Sequence, residues 1–197
     1  MIRVLLIALA LTGCVTQKRV RQSQARTDLG TAYLREGNPP DAVQTLRAAT
    51  VFNPRNGEAW ERLGLAYMAS NALDESETAF KRALRLVDKE EGRVHYNYGM
   101  LLIRMERYAD AVTQLEITLA DLTYRTPSRA LNPVGFVHYK MGDYDKAITR
   151  LSHAIRRSPK MCQARFHRAL AYQAKEDKEA ALNDFEAGIQ TCGSVAA

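Results

Sequence analysis

Several patterns that identify an enzyme or a nucleic-acid-binding protein are missing from this sequence. It has no glycine-rich phosphate loop, no nucleophile elbow and no paired metal-binding motif. Its 28 Lys and Arg against 22 Asp and Glu give a formal net charge of +6, but they form no basic run. A scattered excess of this kind suits an anionic membrane face or simple solubility. We therefore predict no catalytic residue, no small-molecule substrate and no nucleic-acid partner.

Long hydrophobic runs are also missing, apart from one stretch near the start. Arg3 precedes the apolar residues 4–11, a secretory-signal pattern that is far shorter than the ~20 residues of a membrane-spanning helix. The sequence Leu11-Thr12-Gly13-Cys14 follows and resembles the lipobox of bacterial lipoproteins. The resemblance implies that residues 1–13 are removed and that Cys14 carries a covalent lipid. The alternative is an ordinary signal peptide followed by a chance cysteine.

The residues after Cys14 indicate a destination and a tether. Val15 follows the cysteine in place of the aspartate that resembles an inner-membrane retention signal, so we expect an outer-membrane anchor facing the periplasm. Residues 14–22 are polar and basic without an apolar period, which predicts a tether between lipid and folded domain.

A repeat of about 34 residues organises the remaining chain. Leu29-Gly30 recurs as Leu63-Gly64, Tyr98-Gly99 and Val134-Gly135 follow at similar spacing, and Ala169-Leu170 closes the series. This is the period of tetratricopeptide repeats, which are pairs of antiparallel helices. The pattern predicts an all-α, right-handed α-solenoid over residues 23–195. The predicted repeats are about 23–56, 57–91, 92–127, 128–161 and 162–195.

Local signals place the helices within each repeat. The glycines at 30, 64, 99 and 135 are predicted to let the two helices approach, opposite small residues such as Ala42 and Ala147. Asn38, Asp143 and Asp177 are predicted to cap the second helices. Asn132-Pro133 falls inside a first helix, which predicts either a shortened or a kinked helix.

One group of segments resembles a narrower family. The stretch Tyr96-Asn97-Tyr98-Gly99, residues 107–111 and above all the insertion 120–127 that ends Tyr124-Arg125-Thr126-Pro127 are similar to the pilotins of type IV pilus systems, the PilF/PilW/Tgl family. These are tetratricopeptide outer-membrane lipoproteins. The resemblance implies a non-catalytic protein whose partners are subunits of the secretin, the outer-membrane pore through which the pilus exits. The alternative is a general periplasmic scaffold for cell-envelope proteins.

The repeat resemblance also implies where a partner binds. In such repeats the first helix lines the concave surface, and repeat positions five, nine and twelve point into it. These positions predict an apolar groove formed by Leu65, Met68, Tyr96, Met100, Ile103, Phe136, Tyr139, Phe166 and Leu170. The alternative is that many of these side chains pack between adjacent helices.

Two late cysteines carry the remaining chemistry. Cys162 begins the first helix of the last repeat and Cys192 ends its second helix, so the two are expected to be neighbours and to form a disulfide. Cys162, His167 and Cys192 are possible zinc ligands or parts of an enzyme, but their spacing matches no familiar zinc site. We predict no metal, and no cofactor besides the lipid.

Overall fold

Ten α-helices, paired in sequence, form the part of the chain that the computed structural model describes, residues 16–87, 92–121 and 127–192. The helices are α1 (Gln17–Arg35), α2 (Pro39–Phe52), α3 (Gly57–Ala69), α4 (Leu73–Leu84), α5 (Gly92–Arg104), α6 (Tyr108–Ala120), α7 (Pro127–Lys140), α8 (Tyr144–Arg157), α9 (Cys162–Ala174) and α10 (Lys178–Cys192). The predicted all-α solenoid of tetratricopeptide repeats is confirmed. None of these helices is both long and apolar enough to span a bilayer.

Each pair of helices closes around a small residue. A side chain added at Gly30, Gly64, Gly99 or Gly135 would collide with the second helix of the same repeat. The atoms it would meet belong to Leu46, Phe80, Leu115 and Leu151 rather than to the alanines expected from the sequence. Those alanines are buried one turn earlier on the second helix. A leucine or phenylalanine therefore fills the space that the glycine leaves.

Helix caps follow the sequence at two of the three predicted positions. The Asn38 side chain accepts the Asp41 N–H, and the Asp177 side chain accepts the Ala180 N–H. Asp143 makes no capping hydrogen bond and instead pairs with Lys146. Short turns thus join α1 to α2 and the corresponding later pairs.

The predicted tether is wrong over most of its described length, because α1 begins at Gln17. The Thr16 side chain caps this helix by accepting the Arg19 N–H. Polar contacts then replace the missing apolar period: Arg19 Nη2 donates to the Val51 carbonyl at 2.8 Å, and Ser23 Oγ donates to the Ala49 carbonyl at 2.9 Å. Residues 1–15, which include the signal segment and Cys14, lie outside the described residues, as does the insertion at 122–126.

The core runs along the stack as three clusters of buried side chains. The central cluster includes Phe80, Val94, Leu101 and Leu102, all at most 1% exposed, and joins α4 to α7. The helix α7 continues through Pro133, so the proline does not shorten it. Because each cluster draws on neighbouring repeats, the stack rather than the single repeat is the stable unit.

Candidate partner-binding face

The odd-numbered helices line the inner face of the solenoid. The backbones of consecutive odd-numbered helices come close together from α1 to α9, whereas those of consecutive even-numbered helices stay farther apart in the described part of the chain. Long side chains still cross the wider gap, as in the ion pair between Arg150 of α8 and Glu116 of α6. Helices that approach on one side and separate on the other produce curvature toward the side of approach. The concave face therefore belongs to α1, α3, α5, α7 and α9.

All nine residues predicted to line the groove lie on these odd-numbered helices, but they divide into two kinds. Leu65, Met68, Ile103 and Phe136 are half-buried and pack against the central core cluster, and Tyr139 packs against the cluster of the last two repeats. These five support the fold at least as much as they line a surface.

The other four predicted groove residues are placed differently. Tyr96, Met100 and Leu170 are half-buried outside the packing of the three core clusters, and Phe166 is 52% exposed. The Arg129 guanidinium lies 5.5 Å from the centre of the Tyr96 ring. Phe166 is supported by His167 and, edge-on, by Phe185 at 5.8 Å. Met100, Phe166 and Leu170 are therefore the residues of the set most available to a partner.

Polar contacts that the sequence analysis missed also join consecutive odd-numbered helices, and we call them the polar seam. Asn56 Nδ2, at the start of α3, lies 3.0 Å from Ser23 Oγ of α1. Glu61 of α3 accepts hydrogen bonds from Arg93 and from Asn97 Nδ2 of α5. His167 Nδ1 of α9 lies 2.9 Å from Asn132 Oδ1 of α7.

Glu61 is the most buried charge of the polar seam. Its side chain has no exposed surface, and this burial raises its pKa above the usual value, against the opposing effects of Arg93, Arg62 and Asn97. Burial also acts on His167, but here it lowers the pKa, because the charged form of histidine is the protonated one. The centre of the His167 ring lies 4.8 Å from the centre of the Phe136 ring. These groups are held by other residues of the chain, an arrangement suited to fixing the relative positions of helices.

The polar seam had a signal in the sequence. Glu61 and Asn132 occupy the same repeat position as Tyr96 and Phe166. An apolar stripe includes only the apolar members of that position, so it passes over Glu61 and Asn132. A polar side chain at an inward-facing repeat position is equally informative, since burial demands a partner for it.

A cavity of about 370 Å³ lies away from the predicted groove. Its apolar floor contains Trp60, Leu63 and Tyr67 of α3, and its walls include Val51 of α2 and Glu75 of α4. It occupies the gap that the separation of α2 and α4 leaves on the outer face. None of the nine predicted groove residues lines it.

The late cysteines are placed at the two ends that the disulfide prediction requires. Cys162 is the first residue of α9 and Cys192 the last residue of α10, and these helices pack together. The Cys192 side chain lies outside the described residues, so the pairing stays a prediction. Within the described residues no three His, Cys, Asp or Glu side chains form a group that could hold a metal ion.

Comparison with known proteins identifies related chains. The tetratricopeptide-repeat family model matches residues 27–91 and 137–196. The type IV pilus assembly protein PilF of Pseudomonas aeruginosa is 30% identical over 148 residues, which cover 70% of this chain and 58% of that protein. The chain thus spans 58% of the length of this relative.

Solved structures show the same fold. A crystal structure of PilW, described as a widely conserved type IV pilus biogenesis factor, superposes with a TM-score of 0.81 at 24% identity, covering 87% of this chain and 78% of that one. A structure of Pseudomonas aeruginosa PilF gives a TM-score of 0.79 at 23% identity, covering 89% and 78%.

Proposed function

This chain belongs to the tetratricopeptide-repeat family, and on that premise we propose that it is a non-catalytic, lipid-anchored pilotin that helps outer-membrane secretin subunits of a type IV pilus to assemble. The observation that carries the proposal is the 30% identity to PilF. The fold shared with PilW and the lipobox at Cys14 agree with it. The lipid holds the protein at the periplasmic side of the outer membrane, and the repeats bind the client.

The concave face supports this role, because some of its apolar residues lie outside the core clusters. Met100 stands midway along α5 with Tyr96 one turn before it, and both are half-buried outside the core clusters. Methionine and aromatic side chains adapt to an amphipathic helix or an extended segment. We propose that a segment of the secretin subunit lies across α5 at this place.

Replacing Met100 with glutamate tests the groove. A charge there would oppose an apolar client segment, whereas the fold should survive because Met100 lies outside the core clusters. We expect secretin multimers in cells to fall at least about tenfold, a loss of roughly 1.4 kcal/mol or more of binding energy. The purified variant should melt within a few degrees of the wild type.

The matched control is Leu182→Glu, an equally drastic change at an apolar residue of α10 that is 57% exposed. It should leave the multimers unchanged. Normal multimers with a stable Met100→Glu protein would place the client elsewhere, and a collapse of stability would make Met100 a core residue. Anchorage is tested separately by Cys14→Ser, since a variant that stays in the outer membrane would contradict the lipid. Binding to other envelope proteins without secretin would favour a general scaffold.

A further inference from the structure

The two long edges of the solenoid carry opposite charge. We define the N-terminal edge as the first turns of the odd-numbered helices, the last turns of the even-numbered helices and the loops between them. The opposite edge consists of the turns that join each odd-numbered helix to the next even-numbered one, with the adjoining helical turns. Because all odd-numbered helices run in one direction, each edge collects equivalent ends from every repeat.

Basic residues dominate the described part of the N-terminal edge. The first turns of the odd-numbered helices contribute Lys18, Arg19, Arg93, Arg129 and Arg165. The even-numbered helices and their loops add Arg55, the group Lys81, Arg82 and Arg85, and the group Arg156, Arg157 and Lys160. Only Glu58 and Asp121 are acidic there. Residues 88–91 and 122–126 lie outside the described residues and are not counted as part of this edge.

The opposite edge carries a net negative charge. Every even-numbered helix has an acidic residue in its first turn, namely Asp41, Asp74 with Glu75, Asp110, Asp145 and Glu179. This distribution has a sufficient structural explanation, since negative charge stabilises a helix N-terminus. The opposite edge therefore needs no ligand to explain it.

Helix stability does not explain the N-terminal edge in the same way. The helices α1, α5, α7 and α9 have no acidic residue in the first turn, although a carboxylate is favourable there. They carry Lys18, Arg93, Arg129 and Arg165 instead, which are unfavourable at a helix N-terminus. Arg93 and Arg165 meet carboxylates of the chain itself, Glu61 and Asp184. Lys18 and Arg129 form no ion pair with a described residue, so their charges at helix N-termini point to an external anion.

Much of this charge is available to a partner. Arg55, Arg85, Arg156, Arg157 and Lys160 are exposed, and none forms an ion pair with a described residue. Arg93, in contrast, is paired with Glu61, and Lys81 with Glu77. The unpaired bases lie at the first, second and fourth of the four repeat boundaries, so the charge extends along the edge.

The position of α1 tells which anion this edge meets. Thr16 caps α1 on the N-terminal edge, and two extended residues reach at most ~7 Å. A lipid on Cys14 would therefore hold this edge within about one Debye length of the lipid headgroups. Anionic lipid attracts lysine and arginine at such distances.

We propose that the N-terminal edge lies against an anionic lipid surface, so that the lipid and the basic edge together orient the solenoid with its opposite edge away from the membrane. The proposal rests on the lipid anchor of the proposed function. The anchor alone would leave the repeats free to turn about the chain at Thr16, whereas the basic edge selects one orientation. The concave face would then be roughly perpendicular to the membrane and accessible from the periplasm.

Hydrogen–deuterium exchange on the lipidated chain tests the orientation. The chain is reconstituted into vesicles of phosphatidylcholine alone and into vesicles with about one third phosphatidylglycerol. We expect slower exchange at the loops 53–56 and 158–161 with phosphatidylglycerol only, and no change at the turns 70–72, 105–107 and 175–177. The protection should disappear in high salt, because screening shortens the Debye length.

The decisive variant is Arg156→Gln with Arg157→Gln and Lys160→Gln. It should lose the protection at the N-terminal edge. In an unlipidated Cys14→Ser chain it should weaken partition to phosphatidylglycerol vesicles by about 100-fold, at roughly fivefold for each of the three bases. The matched control removes the same charge from the opposite edge with Lys140→Gln, Lys146→Gln and Lys178→Gln, and should behave as the wild type.

Three results would overturn the proposal. The first is equal hydrogen–deuterium exchange on both kinds of vesicle, and the second is protection of the opposite edge. The third is that the basic edge binds an acidic peptide but does not bind lipid. Mass spectrometry separates the two proposals. If Cys14 carries no lipid, the anchor is wrong, and the partition of the unlipidated chain still decides whether the edge binds anionic lipid.

Discussion

At the scale of single residues, the glycines of the first helices set the distance between the helices of a repeat. A Cβ atom at Gly135 would lie 2.4 Å from Leu151 Cγ, which is closer than side-chain atoms approach. Rotation about χ2 leaves this carbon in place, so relief needs either another χ1 rotamer of Leu151 or a wider separation of the two helices. The tolerance for any side chain at this position is therefore low.

We expect Gly135→Ala to lower the free energy of unfolding by about 1–3 kcal/mol, because α7 and α8 must separate or Leu151 must leave its rotamer. The matched change is Gly188→Ala in α10, where the new Cβ would meet only Arg165 Cβ, at 4.0 Å. That variant should gain up to ~1 kcal/mol from helix propensity. Urea unfolding of both variants measures their free energies of unfolding. If Gly135→Ala stabilised the protein as much as Gly188→Ala, α7 and α8 would be able to separate at little cost.

Residue-scale chemistry also explains what the sequence did and did not reveal. The glycine period, and with it the all-α repeat fold, is a local signal that recurs at fixed spacing. The start of α1 is different, because Thr16 caps it while Arg19 and Ser23 hold it to α2, and these polar contacts leave no apolar period. The polar partners of Glu61 and Asn132 were equally hidden, since they lie one repeat away along the chain. The structure was needed to tell which groove residues are available to a partner. A half-buried apolar residue looks the same in the sequence whether it packs in the core or lies outside it.

At the scale of helices, Glu77 of α4 joins three elements around one carboxylate. It accepts hydrogen bonds from Tyr98 Oη of α5 at 2.9 Å and from Arg107, just before α6, at 2.6 Å, and it pairs with Lys81 at 2.9 Å. Burial by itself would raise the pKa of Glu77, but the hydrogen bonds from Lys81, Arg107 and Tyr98 together lower it to about 2. Hydrogen bonding to Glu77 and burial raise the pKa of Tyr98.

A carboxylate whose pKa is lowered on folding stabilises the folded protein above its unfolded value of 4.5, and the stabilisation is lost as the pH falls from there toward about 2. We expect Glu77→Gln to reduce the free energy of unfolding at pH 7 by about 2 kcal/mol, with a smaller difference at pH 3. The control Glu75→Gln changes an exposed carboxylate in the first turn of the same helix and should cost only about 0.3–1 kcal/mol. Chemical denaturation at several pH values measures this, and a difference independent of pH would mean that Glu77 acts by packing.

At the scale of the whole molecule, the last described repeat, like the first, has a neighbouring repeat on one side only. Its helices α9 and α10 have fewer partners than those in the middle of the stack, and its exposed apolar residues include Leu182 and Ile189. A terminal repeat of this kind is where unfolding of a solenoid begins. A covalent link across it would protect the entire stack.

We therefore expect Cys162 and Cys192 to be linked, closing a loop of about 30 residues and contributing roughly 3–4 kcal/mol in the chain-entropy estimate. Cys192→Ser should lower the melting temperature, and the reduced wild type should melt at the same temperature as this variant. Peptide mapping without reductant should recover the two cysteines in one linked fragment. Their recovery as separate free thiols would reject the bond and leave the end of the stack unstapled.

The polar seam has a consequence for how such a molecule could evolve or be engineered. Its contacts differ among the three junctions where it occurs. A serine and an asparagine meet between α1 and α3, a glutamate and an arginine between α3 and α5, and an asparagine and a histidine between α7 and α9. A repeat moved to another place in the stack would leave a group such as Glu61 buried without its cation, which is strongly unfavourable. The order of the repeats is thus specified by these side-chain contacts as well as by chain connectivity. Repeats with the same backbone shape cannot be exchanged for one another without loss of stability.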